Sequence, residues 1–385
     1  MVNELEAIGI PDWFVGRELR RIVACGTGEL GHFEVLCESC GHRARHGHGC
    51  QSRHCPSCGQ GRAAEWVAAR EAEVVQGPYF HFVFTVPGAL YPLFLANQRL
   101  LYGHLMREVR GLLHEAAADP RFLGGTPWVL QVLHTTNRDL GYHPHVHVII
   151  SGVGWNEARG ALVSVRKDDF LFPARMLAYR LRQRMLGVVR REVDKGTLAL
   201  GGAPVGPGTP AGKQLLEVLF RLSQVNWQVH TKRAFGGPAQ VLRYLGRYTH
   251  RTAISNGRLV RMDRQSVTFR GRHSRLRRVR LAEFARLFAR HVLPKGFVRV
   301  RRSGLLSPQK RKALLARVQA AAVLHARVRG WRVQLPALQP ERGATPRCDA
   351  CASEEVRLFG MADRRRPPLY FGAAGIPPPV AGGGA

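Results

Sequence analysis

Apolar and polar positions alternate along the chain in patterns that predict a mixture of helices and strands. Residues 79–87 (YFHFVFTVP) are aromatic and β-branched and end at a proline, which predicts a buried strand. Apolar residues recur at helical spacing over 61–75 and again over 90–118, where one long helix or two shorter ones are predicted. Two further strands are predicted at 126–136 and 143–152, joined by the loop NRDLGY. This order favours an α+β fold with helices packed on one face of a sheet.

Three histidines occupy alternate positions at the start of the last predicted strand, HPHVHVIISG. Because successive side chains of a strand point to opposite faces, His143, His145 and His147 share one face. Pro144 disfavours a long regular strand from residue 143, so His145 and His147 are the expected ordered pair. Such a pair can chelate a divalent ion, but this segment alone leaves a histidine pair without an ion equally open.

Residues 227–255 combine a strand pattern with a polar helix. The segment begins as a predicted strand, breaks at Gly-Gly-Pro and continues as a helix with the proline in its first turn. Positions four apart share a helix face, and one face here carries Gln240, Tyr244 and Tyr248. An adjacent basic stripe, expected to contact DNA, consists of Arg243, Arg247 and Arg251. The tyrosines are either reactive groups or part of the face that packs on the sheet.

The charge balance indicates a polyanionic partner. The 385 residues include 58 Lys and Arg against 27 Asp and Glu, a formal net charge of +31. Basic residues concentrate over 258–331, and arginine pairs well with phosphate, so nucleic acid is the expected partner. No apolar run is long enough for a membrane span, and the N-terminal residues lack the pattern of a secretory signal. We therefore expect a cytoplasmic, nucleoid-associated protein that does not bind membranes.

The eight cysteines of an intracellular protein are expected to be metal ligands rather than disulfides. Two CxxC pairs form the pattern of a tetrathiolate zinc ribbon, and its predicted ligands are Cys37, Cys40, Cys55 and Cys58. A second zinc ion is also open, with the candidate ligands Cys25, Cys50 and His54. Near the C-terminus, Cys348 and Cys351 form half a zinc site, which either borrows ligands from elsewhere or holds reduced thiols.

In this order, the motifs resemble the rolling-circle transposases of the insertion-sequence 91 family, which are HUH enzymes named for two histidines around a hydrophobic residue. The resemblance extends from about residue 20 to about 355 and rests on the CxxC pairs, PYFHFVFTVP, HPHVHVIISG, KRAFGGPAQVLRYLGRYTHRTAIS and FARHVLPKGFVRVRRSGLLS. It implies an HUH-type antiparallel sheet with helices packed on it, preceded by a small zinc-ribbon domain with structural Zn²⁺.

The resemblance also implies the residues that act on DNA. His145 and His147 are expected to bind a catalytic Mg²⁺ or Mn²⁺, and Tyr244 and Tyr248 to be paired nucleophiles. The candidate for a third metal ligand is Gln240, and His230 and His250 are its rivals. The implied reaction cuts and joins single-stranded DNA through a 5′-phosphotyrosine and needs no nucleotide cofactor. No GxxxxGK[ST] phosphate loop occurs in the sequence, so unwinding is expected to come from a host helicase.

Five segments are expected along the chain. They are a zinc-binding ribbon at 1–60, a connecting helix at 61–78, an HUH nuclease domain at 79–257, a basic extension at 258–340, and a CxxC segment with a disordered Pro- and Gly-rich tail at 341–385. Two alternatives to a transposase stay open at this point. One is a plasmid- or phage-type replication initiator with the same chemistry, and the other is a zinc-ribbon DNA-binding protein without catalysis.

Overall fold

Helices and short strands alternate over the residues that the computed structural model describes, which are 13–59, 66, 70, 72–234, 253–333, 347–363 and 366–370. The main helices are α1 (Trp13–Val23), α2 (Tyr91–Ala96), α3 (Gln98–Ala118), α4 (Ala174–Asp194), α5 (Pro210–Gln224), α6 (Leu281–Ala289) and α7 (Pro308–Val328). The strands are β1 (Gly31–Cys37), β2 (Arg43–Gly47), β3 (Tyr79–Thr85), β4 (Thr126–Thr136), β5 (Tyr142–Asn156), β6 (Ala161–Ser164), β7 (Leu198–Leu200), β8 (Ala203–Val205), β9 (Val229–Ala234), β10 (Leu259–Met262), β11 (Ser266–Arg270), β12 (Leu276–Arg280), β13 (Val300–Gly304), β14 (Val356–Asp363) and β15 (Arg366–Tyr370). The predicted α+β class is confirmed.

A six-stranded antiparallel sheet forms the centre of the fold. Strands β13, β4, β5, β3 and β9 lie side by side, and β6 pairs with the end of β5. Phe80, Phe82 and Phe84 of β3 are buried on one face, in a core that they share with α2, α3, α4 and α5. Leu315 and Val318 of α7 pack on the opposite face, near the end of β5. The strands predicted from the period-two patterns are confirmed as β3, β4 and β5.

The helical pattern over 90–118 forms two helices because Asn97 interrupts it. Asn97 has a non-helical backbone conformation (φ −124°, ψ 42°) between α2 and α3. Its side-chain amide donates to the carbonyl oxygens of Leu93 at 2.9 Å and of Ala199 at 2.7 Å. Its side-chain oxygen accepts from the Ala199 N–H at 2.9 Å. These bonds to β7 compensate for the helical hydrogen bonds that are lost at the junction.

Pro144 lies within β5, which begins at Tyr142, but the strand is irregular at the proline, in line with the expectation that Pro144 disfavours a regular strand from residue 143. The pairing of β5 with β4 shifts register between His134 and Thr136, which is a β-bulge beside the proline. On the other side, pairing with β3 begins only at His145. Two residues of β5, His143 and Pro144, oppose the single residue Thr135 of β4, so Pro144 lies in a bulge of β5 itself and beyond the end of its pairing with β3. Its missing N–H interrupts no regular ladder there.

The N-terminal and C-terminal parts of the chain form one sheet, with the strand order β15, β14, β1, β2. Strand β14 runs antiparallel to β1 along its whole length and places Val356 opposite Cys37. The expected division into a ribbon at 1–60 and a separate segment at 341–385 is therefore corrected. Strand pairing makes the two segments parts of a single sheet, so the expected zinc-binding module includes both.

Other expected boundaries change for similar reasons. Strand β13 pairs with β4 at the edge of the central sheet, so the sheet contains a strand from beyond the expected domain end at 257. The tail that was expected to be disordered begins with β15, while 371–385 lie outside the described residues. Of the predicted connecting helix, Trp66 and Arg70 are helical, and most of its other residues lie outside the described ranges.

A three-stranded sheet of β10, β11 and β12 packs with α6 beside the loop between β4 and β5. Leu140 of that loop is buried in a cluster with Phe269 and Phe288, which Leu19 of α1 also joins. The same loop accepts a hydrogen bond from the Arg272 N–H. None of the helices among the described residues combines the length and the apolar composition that a membrane span requires.

Candidate metal centres and active site

The eight cysteines form two groups of four, and each group contains two of the four ligands predicted for the tetrathiolate site. The first group consists of Cys25, Cys50, Cys55 and Cys58. The second group consists of Cys37, Cys40, Cys348 and Cys351. The prediction that Cys37, Cys40, Cys55 and Cys58 share one ion was therefore wrong. Cys37 ends β1 and the first group lies beyond the start of that strand, about 20 Å away at about 3.4 Å per residue.

The sulfur atoms of the first group are spaced like the corners of a tetrahedron around zinc. Cys25 Sγ lies 3.5 Å from Cys55 Sγ and 3.6 Å from Cys58 Sγ. Cys50 Sγ lies 3.9 Å from Cys58 Sγ. Four thiolates at about 2.3 Å from one zinc ion are about 3.8 Å apart, whereas a disulfide brings two sulfurs to about 2.05 Å. The first group therefore fits a structural zinc ion.

One thiol in each group is poised to ionise first. A hydrogen bond from the Cys50 thiol lowers the pKa of Cys55 to about 5, against the opposing effect of burial. Burial raises the pKa of Cys37, but hydrogen bonds from the N–H groups of Cys40 and Ser39 outweigh it and bring the pKa to about 7. Because zinc binds the thiolate form of cysteine, each group begins with a ready ligand.

His54 lies outside the first cysteine group, so the expectation that it binds a second zinc ion was wrong. Its Nε2 atom accepts a hydrogen bond from Arg53 Nε at 3.2 Å. Burial lowers the pKa of His54 to about 3, and the nearby charges of Arg53 and Arg299 act in the same direction. The neutral ring lines a small cavity together with His134 and His291, between the zinc-binding module and the central sheet.

Three imidazoles converge on one face of the central sheet. His145 and His147 lie on β5, and His134 lies on β4 directly opposite His145. All three side chains are buried, with 8% of each residue exposed. The intervening Val146 and Val148 point into the core on the helix-covered face. The prediction that His145 and His147 share a face is therefore confirmed, and His134 completes the group.

Hydrogen bonds fix how two of these rings are turned. His145 Nδ1 lies 2.6 Å from the carbonyl oxygen of His143, which can only accept, so this Nδ1 carries the proton. His147 Nδ1 lies 2.8 Å from Nε2 of the buried His81 on β3. When His147 Nδ1–H donates to His81, the Nε2 lone pairs of His145 and His147 face the same point, and the two atoms lie 3.1 Å apart. Neighbouring ligands of an octahedral ion, each about 2.1 Å from it, are about 3.0 Å apart.

The two rings can also share a proton in place of an ion. In that case His147 Nε2–H donates to His145 Nε2, and His81 donates to His147 Nδ1. His134 distinguishes the two arrangements, because its ring nitrogen lies within 4.8 Å of the other two. A third converging imidazole serves an ion but is not required by a shared proton. The histidine group therefore fits a divalent metal ion.

The predicted helix after β9 lies outside the described residues, and its proposed site residues stay predictions. These residues are Gln240, Arg243, Tyr244, Arg247, Tyr248, His250 and Arg251. The strand that precedes the helix is confirmed as β9. His230 lies on β9, is exposed and is paired with Val83 of β3, whose partner on the other side is His147. It is not part of the three-histidine group.

The sequence reasoning did not identify His134 or His81. Each lies inside an otherwise apolar strand pattern, TPWVLQVLHTT and YFHFVFTVP, where a single histidine is not distinctive. The signal that was available is the hairpin itself, since the short loop NRDLGY brings the end of β4 opposite the start of β5. Working out that pairing places His134 beside His145.

Two family models match the chain. A model described as "Putative transposase" matches residues 129–313, which include most of β4, all of β5 and the predicted tyrosine helix. A model described as "Transposase zinc-binding domain", of the insertion-sequence 91 type, matches residues 9–86 and includes the first cysteine group. No solved structure matches the chain significantly.

Two known proteins are similar over most of the chain. The "Putative transposase y4qJ" of Sinorhizobium fredii is 37% identical over 306 residues, which cover 78% of this chain and 76% of that protein. The "Transposase for insertion sequence element IS801" of Pseudomonas savastanoi pv. phaseolicola is 29% identical over 267 residues, which cover 66% of this chain and 59% of that protein. Together with the two family models and the order of the motifs, these similarities establish that the chain belongs to the insertion-sequence 91 family of transposases.

Proposed function

We propose that this transposase cuts and rejoins single-stranded DNA at a metal site built from His134, His145 and His147. The observation that supports the proposal is the convergence of these three buried imidazoles on one face of the central sheet. In this proposal His134 is the third metal ligand, a role for which Gln240 on the predicted tyrosine helix was the candidate. Gln240 stays a candidate for a further ligand from that helix.

The three histidines come from two adjacent strands and so occupy one side of the ion, which leaves its other positions to substrate or to a further ligand such as Gln240. When bound there, Mg²⁺ or Mn²⁺ supplies a Lewis acid that polarises the scissile phosphate. Imidazole is a softer ligand than the carboxylates and waters that Mg²⁺ prefers, so Mn²⁺ is expected to bind more tightly. The carbonyl of His143 and the ring of His81 hold His145 and His147 in the orientations that present their Nε2 atoms.

Tyr244 and Tyr248 supply the nucleophiles in this proposal. A tyrosine oxygen attacks phosphorus, the bond from phosphorus to the 3′ oxygen breaks, and that oxygen takes up a proton to become a 3′-hydroxyl. The 5′-phosphotyrosine conserves a phosphodiester bond, so a 3′-hydroxyl can reverse the step and join strands without a nucleotide cofactor. The second tyrosine can hold one strand end while the first cuts another.

Chain connectivity supports a position of the tyrosines near the histidines. Ala253, the first described residue after the predicted tyrosine helix, lines the same cavity as His134. Tyr248 precedes Ala253 by five positions, a distance that the chain spans with at most about 18 Å. This chain length permits the proposed nucleophile to approach the metal site.

The basic surface supplies the contacts to DNA phosphates in this proposal. Exposed arginines of the three-stranded sheet and its turns are Arg261, Arg264, Arg270, Arg272, Arg275, Arg278 and Arg280. The predicted stripe on the tyrosine helix adds Arg243, Arg247 and Arg251. Contacts of this kind hold a strand without reading its sequence, and they weaken as salt rises. Separation of the strands is assigned to a host helicase.

The test is covalent capture of DNA by the full-length protein. Labelled single-stranded DNA that carries the ends of the element is incubated with protein and Mn²⁺ or Mg²⁺, and the products are separated on denaturing gels. We expect a metal-dependent protein–DNA band that the double variant Tyr244→Phe, Tyr248→Phe and the variant His134→Ala both lose. The variant His230→Ala is the matched control, and it should retain the band.

Each alternative predicts a different pattern. A DNA-binding protein without catalysis gives salt-sensitive binding but no denaturant-resistant band with any variant. Loss of the band in the tyrosine variant together with full activity of His134→Ala would leave the nucleophiles in place and refute the three-histidine site. Cleavage of a replicon origin in preference to element ends would favour a replication initiator.

A further inference from the structure

The second cysteine group joins two segments that are far apart in the sequence. Cys37 and Cys351 are separated by 314 positions, yet their Sγ atoms lie 3.7 Å apart. Cys40 Sγ and Cys348 Sγ are also 3.7 Å apart. These distances match the value of about 3.8 Å expected between thiolates on one zinc ion. The family model of the zinc-binding domain ends at residue 86 and does not include the two C-terminal cysteines.

The two CxxC turns of this group have the same backbone structure. In the first turn, Gly41 N–H donates to the Cys37 carbonyl at 2.9 Å, and Cys37 N–H donates to the carbonyl of the residue after Gly41 at 2.9 Å. In the second turn, Ala352 N–H donates to the Cys348 carbonyl at 2.9 Å, and Cys348 N–H donates to the carbonyl of the residue after Ala352 at 2.8 Å. Both turns therefore present their thiols in the same way.

Backbone angles strengthen the likeness between the turns. The fifth residue of each turn is left-handed, with φ of 71° at Gly41 and 58° at Ala352. Glycine adopts this conformation readily, but alanine does so rarely and at some energetic cost. A turn held in this conformation at Ala352 indicates a constraint beyond its local sequence. A metal ion bound by both turns provides such a constraint.

Polar contacts next to the sulfurs hold the two turns in register. Ser39 Oγ lies 2.7 Å from Ser353 Oγ and donates to Glu355 Oε2 at 2.6 Å. Glu38 N–H donates to the Glu355 carbonyl at 2.9 Å, and Arg357 forms an ion pair with the Glu38 carboxylate at 2.6 Å. The sulfurs therefore meet at the end of a paired sheet rather than by the chance approach of two loops.

We propose that Cys37, Cys40, Cys348 and Cys351 bind a second structural zinc ion, which closes the N-terminal module with the C-terminal segment. Zinc is favoured over two disulfides because the cysteines converge as two equivalent CxxC turns at the edge length of a zinc tetrahedron. The ion fastens β14 to β1 at the end of the sheet where both turns lie. The proposal does not depend on the catalytic mechanism.

The test is a zinc count on full-length protein by mass spectrometry of the metal. We expect two zinc ions per chain for the wild type and one for the double variant Cys348→Ser, Cys351→Ser. The variant Ser353→Ala is the matched control, since it keeps all eight thiols and loses only a neighbouring hydrogen bond. It should retain two ions.

Thiol protection in the wild type decides the question even if the double variant unfolds. With zinc bound, Cys37, Cys40, Cys348 and Cys351 should resist alkylation, and a chelator should expose all four. One zinc ion per chain with ready alkylation of Cys348 and Cys351 would overturn the proposal. Disulfide-linked peptides that contain these two residues, recovered without a reductant from protein kept free of oxidants, would also overturn it.

Discussion

His81 offers a sharp test of the histidine site because it touches a proposed ligand without being one. Its Nε2 atom lies 2.8 Å from His147 Nδ1, and only 3% of His81 is exposed. Removing the acceptor for a buried N–H costs about 1–3 kcal/mol. Outer partners of metal-binding histidines are worth about 10–100-fold in metal affinity, or about 1.4–2.7 kcal/mol. The variant His81→Leu should therefore bind Mn²⁺ about 10–100-fold more weakly than the wild type.

The amide variant separates orientation from packing. His81→Gln keeps an oxygen that can accept from His147 Nδ1–H, so it should recover most of the affinity that His81→Leu loses. Affinity is measured by calorimetric titration of Mn²⁺ into zinc-loaded protein, and again as the Mn²⁺ concentration that gives half-maximal DNA capture. His325→Leu is the control, because His325 on α7 also forms a hydrogen bond to a side chain, the half-buried Ser164 Oγ at 3.0 Å, but does not belong to the histidine site.

Unchanged Mn²⁺ affinity in a folded His81→Leu variant would refute the assignment of ring orientations. Folding is checked by circular dichroism and by thermal unfolding. Equal losses in His81→Leu and His81→Gln would show that shape at this position matters more than the hydrogen bond. Either result would require another account of how His147 is turned.

Further predictions concern the zinc module, the pH dependence and the binding of DNA. Glu18→Ala should lower the free energy of unfolding by about 1–3 kcal/mol and speed zinc release to a chelator, because the buried carboxylate accepts from Ser52 Oγ at 2.7 Å. Burial lowers the pKa of His114 to about 4. As the pH falls from about 6.5 towards 4, the unfolded chain therefore takes up a proton at His114 before the folded protein does, and the free energy of unfolding decreases. His114→Gln can keep the bond to Ser303 but cannot take up the proton, so urea unfolding should show a smaller loss of stability between pH 7 and 4 than in the wild type. With a net charge of +31, affinity for single-stranded DNA should fall about tenfold or more between 50 and 200 mM salt, as fluorescence anisotropy would measure.

The central strands could be predicted because their own sequences carry the information. A period of two and a run of β-branched and aromatic residues specify a strand, and the same alternation places His145 and His147 on one face. His134 was missed because its role depends on the pairing of two strands, which is a relation between segments. Only the register of β4 on β5 brings its ring to the other two.

For the same reason, the spacing of the cysteines along the sequence could not predict which of them share a metal site. A CxxC sequence indicates that two thiols share a metal ion, but it does not indicate which other pair completes the site. That choice is made by β14, which pairs with β1 and carries Cys348 and Cys351 to the turn at Cys37. Long-range strand pairing of this kind has no signature in the local sequence.

Because β14 pairs with β1, the first module of the chain cannot be completed until the C-terminal segment has been synthesised. Cys37 and Cys351 are 314 positions apart, and ribosomes add about 5–20 residues per second. The hairpin of β1 and β2 therefore waits about 15–60 s for its partner strand, with one edge of β1 open to other chains. A nascent transposase completes its first module only after β14, which ends at Asp363, has been translated, so termination before residue 348 leaves the module without that strand and without two of its thiols.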